Sequence, residues 1–147
     1  MIMSLLGLLA LSAAGDGGPI HRTTIHHGAV PVNVDYRAAI TLRVRQAGMT
    51  PPTRLGVVRC DWVARVAVHR SMERPGAASA PNRIVADDFE LRGNRPGTCS
   101  AARKAIDAEV ASRDADVRAH LLAVADRDRT QLLAELETTG TSPHSAH

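Results

Sequence analysis

Aromatic side chains are almost absent from this chain of 147 residues: Tyr36, Trp62 and Phe89 make up the whole 2%. The interior must therefore be built from Val, Ile, Leu and Ala, and a core of that kind is thin enough to need a staple. Lysine is just as scarce, Lys104 being the single one, so positive charge is carried by arginine. There are only two cysteines, Cys60 and Cys99, which excludes paired CxxC metal or redox motifs. GxSxG, P-loop, GxGxxG and HExxH patterns are missing, and no catalytic residue, metal set or cofactor is assigned. The one long hydrophobic run, Met1 to Ala14, is too short to span a bilayer and ends in Ser12, Ala13 and Ala14. It reads as a secretory signal peptide cleaved near Ala14, placing the mature chain in the periplasm or outside the cell with no transmembrane segment.

What is present is organised around residues 30–68. Val30, Val32, Val34, Tyr36, Ala38, Ile40, Leu42 and Val44 hold the even positions, against Asn33, Asp35, Arg37, Thr41, Arg43 and Arg45 at odd ones. This is strand periodicity. It resumes after the breaker-rich stretch 46–56 as Val58, Cys60, Trp62, Ala64, Val66 and Val68, opposite Arg59, Asp61, Arg65 and His69. Two such runs predict a long antiparallel hairpin with one apolar face. Cross-strand electrostatics favour a register that faces Arg43 with Asp61 rather than with Arg59.

Residues 15–29 form an N-terminal segment with a short strand predicted ahead of Gly28. Its His21, His26 and His27 are read as edge-strand residues: neighbours point to opposite faces, and His21 and His27 lie about 20 Å apart along a strand. Residues 71–82 are a low-complexity connector. Ile84, Val85, Phe89 and Leu91 predict a short third strand, whose Asp87, Asp88 and Glu90 discourage edge-to-edge pairing. A turn is predicted over residues 93–97, completing a sheet region of residues 30–97.

From Thr98, an acceptable N-cap, the chain has no Gly or Pro until Gly140, so one long helix is predicted over residues 98–138, followed by a disordered tail at 139–147 with His144 and His147. Cys99, Ile106, Val110, Val117, Leu121 and Val124 fall within a sector of about 60°, and that stripe is the cover for the hairpin's even face. The phase is kept through residues 112–114, which argues for an unbroken helix. His120 reads as a half-buried side chain. The predicted class is α+β: hairpin, short third strand, and a long C-terminal helix over one face.

Periodicity points Cys60 and Cys99 into the same layer, so a disulfide is predicted, closing a loop of about 40 residues. A reactive Cys99 thiol at a helix N-terminus is the alternative weighed against it. The leading functional expectation is an exported, non-enzymatic structural or protein-interaction module. The other is a binder of anionic polymers or lipids through Arg37, Arg43, Arg45, Arg59 and Arg65 on the odd face. Residues 15–98 carry twelve Arg against seven acids, a weak field screened beyond about 10 Å and pointing to no specific nucleic acid. Beyond Val124 the helix opens a second apolar sector of Leu122, Ala125, Leu132, Leu133 and Leu136. It is read as an interface with a second copy or a partner protein, or else as covered by residues 20–30 folding back.

Overall fold

The computed structural model describes residues 17–49, 52–53 and 56–140. The predicted signal peptide, part of the hairpin loop and the tail from residue 141, with His144 and His147, lie outside them. Four strands, β1 (Ile20–His27), β2 (Val30–Met49), β3 (Val57–Glu73) and β4 (Ala80–Pro96), form one antiparallel sheet in the order β1-β2-β3-β4. Two helices, α1 (Cys99–Ser112) and α2 (Asp114–Gly140), pack on the sheet, giving the α+β class.

The side-chain alternation decides which face the helices cover. Val32, Val34, Tyr36 and Ala38 of β2 and Cys60, Trp62, Ala64, Val66 and Val68 of β3 are all buried, together with Ile106, Val117, Leu121 and Val124 of the helices. A run with this period has no other place for its apolar residues once one face is covered. β1 joins β2 through a turn at Gly28, whose φ of +63° is left-handed backbone that suits glycine.

The hairpin differs from the expected one in register. Strand pairing runs unbroken from Asn33 opposite Glu73 to Met49 opposite Val57, which sets Asp61 against Arg45 and leaves Arg43 against Val63. The charge rule is still obeyed, two residues along from the predicted pair, because the strands continue into the stretch read as loop and shorten the connection. β4 is also longer than predicted. The connector shrinks to residues 74–79, and the strand continues through the expected turn to Pro96. Gly93 belongs to the strand for a packing reason: a Cβ there would lie 2.5 Å from the Trp62 ring. Three register shifts interrupt the pairing of β4 with β3.

The predicted single helix is two. Arg113 separates them, with its N–H donating to the Val110 carbonyl at 3.1 Å, while the Ser112 hydroxyl donates to the Glu109 carbonyl at 2.6 Å. A serine side chain competing for a helix carbonyl disturbs the ladder without Gly or Pro. Asp114 and Asp116 then sit in the first turn of α2, where acidic groups complement the positive end of the helix dipole. The apolar stripe keeps its phase across the break, so packing gave no sign of it. At the other end, the Thr98 side chain caps α1 by accepting from the Ala101 N–H at 3.2 Å.

Candidate interaction surface

Both helices lie on the even face, so the odd face of the sheet is open. The pairing register places Arg37, Arg43, Arg45, Arg59 and Arg65 together on it, joined by Arg22 and Arg92 from the outer strands. Acids are interleaved. Asp61 takes Arg59 at 2.9 Å and Arg45 at 3.7 Å, Asp35 takes Arg22 at 3.4 Å, and Glu90 takes Arg65 at 3.1 Å and also Arg92. Hydrogen bonds from Arg92 and then Arg65 hold the Glu90 carboxyl below the ordinary carboxylate range. Among the described residues Arg37 and Arg43 have neither ion pair nor hydrogen bond. The face therefore presents a few uncompensated cations rather than a broad positive field. Over Val63 and Asp61, the side chains of Arg43, Arg45 and Arg92 border an open hollow of about 650 Å³.

Inside the sheet–helix layer lies a polar network that sequence reading passed over. Arg70, only 3% exposed, donates to Asp128 at 2.7 Å and to Glu135 at 2.5 Å. The Tyr36 hydroxyl donates to the same Asp128 oxygen at 2.9 Å, and Arg83 reaches Glu135 from the rim at 2.8 Å. Burial presses the Arg70 pKa down, but the hydrogen bond and charge of Asp128, with Glu135 behind it, outweigh that and hold it above its usual value. Burial first, and then the Asp128 carboxylate, push the Tyr36 phenol well above its usual range. Every member is satisfied, so the network ties β2, β3 and α2 together as a clamp. The signals were present in the sequence: Tyr36 and Arg70 continue the even face, and Asp128 interrupts the apolar stripe of α2.

The second apolar sector of α2 has its cover inside the chain. Leu132 and Leu136 are 0% and 1% exposed, Ala125 is buried and Leu133 half-buried, with α2 packing on β1 and β2. Residues 20–30 do fold back as β1, with Ile25 buried in the core, and the packing of α2 on the sheet replaces the predicted interface at these leucines. Only Leu122, 52% exposed, stays on the surface.

Cys60 and Cys99 are joined, their Cα atoms 4.8 Å apart, so the reactive-thiol alternative falls. His21 stacks on Tyr36 and His120 on Phe89, while His26 is exposed. Among the described residues no three metal-ligating side chains cluster. No helix there is long and apolar enough to cross a membrane. No protein-family model, curated protein or solved structure matches the chain.

Proposed function

We propose that this protein is an exported, non-enzymatic interaction module, a small α+β scaffold stapled by one disulfide and working through its sheet. The observation that carries this reading is the asymmetry of the sheet: both helices occupy one face, and the other is left open and set with arginines. The Cys60–Cys99 bond supports an oxidising compartment, as does the apolar run Met1–Ala14 read as a cleaved leader. Binding of an anionic polymer or lipid surface by Arg37, Arg43, Arg45, Arg59 and Arg65 is the second reading. It is favoured by Arg37 and Arg43, unpaired among the described residues, and weakened by Asp35, Asp61 and Glu90 among them.

The test has two arms. A fusion of the full chain to a leaderless alkaline phosphatase is active only if the chain directs export; an inactive fusion overturns the exported part of the reading. A photo-cross-linking side chain at Thr41, on the open face, should trap a discrete protein adduct in cells, whereas the same group at Ala108 on α1 should not. Salt-sensitive retention on heparin, abolished when Arg43, Arg45 and Arg59 become Ser, in place of a Thr41 adduct, would transfer the assignment to the second reading.

A further inference from the structure

The edges of this sheet, β4 on one side and β1 with the part of β2 beyond it on the other, are not equally protected. The three register shifts of β4, Pro81 and the exposed Asp87 and Asp88 all lie in its Ala80–Phe89 half and discourage another strand from adding there, whereas Phe89–Pro96 pairs with β3 without interruption. β1 is only eight residues long. β2 is different, because it has 20 residues and β1 covers only its first part.

The last bond on that side runs from the Ala38 N–H to the Pro19 carbonyl at 3.0 Å, so the backbone groups of Ala38 point outward, away from β3. Strand geometry repeats this every second residue, which aims the N–H and C=O of Ile40, Leu42, Val44 and Gln46 the same way. No strand of the described residues pairs with them. The pairing of this stretch with β3 is free of bulges, so the edge is regular over about 20 Å.

We propose that the free edge of β2 from Ile40 to Gln46 accepts an extended segment of a partner protein as a fifth strand, and that this segment alternates apolar and acidic residues. The proposal rests on the interaction-module reading and names the partner's chemistry.

The alternation follows from the two faces. On the helix side, Ile40 and Val44 are each a little over one-third exposed, and a groove of about 500 Å³ runs from Pro19 and Ile40 to Val110 and Ala111 of α1. Side chains that pack on Ile40, Val44 and Val110 there are apolar, although Asp107, Asp114 and Arg118 also line the groove. On the open side, the added strand lies beside Thr41, Arg43 and Arg45. Among the described residues Arg43 has no acid of its own, and Arg45 holds Asp61 only at 3.7 Å with its own side chain 82% exposed. Acidic side chains complete that row.

Two other occupants fit less well. A second copy joining β2 to β2 would bring the Arg43 and Arg45 rows of both chains together, a like-charge arrangement. The chain's own residues 1–16 hold a single acid, Asp16, not a row of them.

The test uses the full chain and a synthetic nonapeptide alternating valine and glutamate, N-methylated on one edge so that it can pair on the other alone. Amide hydrogen exchange is read at Ile40, Leu42, Val44 and Gln46. In the dilute free protein these amides should exchange fast. Excess peptide should slow them about tenfold or more, and a valine–lysine peptide should not. Arg43→Glu should weaken the glutamate peptide by up to about fivefold, the most an exposed charge pair gives, and added salt should act in the same direction.

Slow exchange already in the dilute free protein would put the chain's own leader on the edge. Protection appearing only on concentration would put a second copy there. No slowing with millimolar glutamate peptide would leave the edge without the proposed specificity. Each overturns the proposal. An edge that fails while Thr41 still yields its adduct in an exported chain removes the strand-addition site alone, whereas loss of export and of the adduct removes the module reading beneath it.

Discussion

Replacing Asp128 by Ala tests whether the buried network is as desolvated as its geometry implies. The change leaves the Arg70 guanidinium, 3% exposed, with one carboxylate instead of two, and the buried Tyr36 hydroxyl with none. Removing one partner of a buried ion pair costs about 3–5 kcal/mol. Because Glu135 still holds Arg70, the lower end applies, about 3 kcal/mol, equivalent to a fall in Tm of about 12 °C for a domain of this size. Out of a total stability of about 5–15 kcal/mol this is a large loss that still leaves a folded protein to measure. Replacing both charges, Arg70→Met with Asp128→Leu, removes the buried ion and should restore the part of the loss due to it, leaving the part due to the Tyr36 hydroxyl, since apolar residues of similar volume substitute well for buried pairs. Urea unfolding followed by the fluorescence of Trp62, the sole and fully buried tryptophan, reads all three proteins. A single variant losing under about 1 kcal/mol would show the pair behaving as a solvated surface pair. A double variant as unstable as the single would show that burying the charge was not the cause.

Four further outcomes are expected. Thiol labelling of the native protein should find no free cysteine until it is denatured and reduced, and Cys60→Ser with Cys99→Ser should cost about 4 kcal/mol in the chain-entropy account of a 40-residue loop; ready labelling of native Cys99 would contradict this. Gly93→Ala should cost about 1–3 kcal/mol and change Trp62 emission, because a Cβ at 2.5 Å from the indole has to displace the ring; an unchanged spectrum and stability would refute the contact. The raised Tyr36 pKa means the folded state holds that proton more tightly, so its stabilisation is complete below the usual tyrosine value of 10.0 and is lost as pH rises above it. Tyr36→Phe should flatten this alkaline fall in a pH series of urea midpoints. Burial lowers the His120 pKa, with Asp88 partly opposing it, so stability is complete above the ordinary value of 6.5 and falls as pH drops through and below it. His120→Leu should remove that acid-side slope, and a slope that persists would assign it to another group.

The alternation of even and odd residues from Val30 to Val68 was enough to determine the central hairpin, its buried face and the arginine face, because side-chain direction in a strand depends only on parity. The helix stripe from Ile106 to Val124 was legible for the same kind of reason, and the two together brought Cys60 and Cys99 into one layer. Register was not legible, since shifts by two residues keep parity, and the choice between Arg43 and Arg45 as the partner of Asp61 turned on how far the strands continue toward the loop. The break at Arg113 escaped because Ser112 acts locally while the apolar stripe runs through it. Leu132 and Leu136 looked exposed from the helix alone, and only the packing of α2 on the sheet buries them. Arg70 and Asp128 stand 58 residues apart. Each looked like an interruption of an apolar pattern until the sheet and α2 were stacked, because pairing between distant residues is a property of packing and not of any local period.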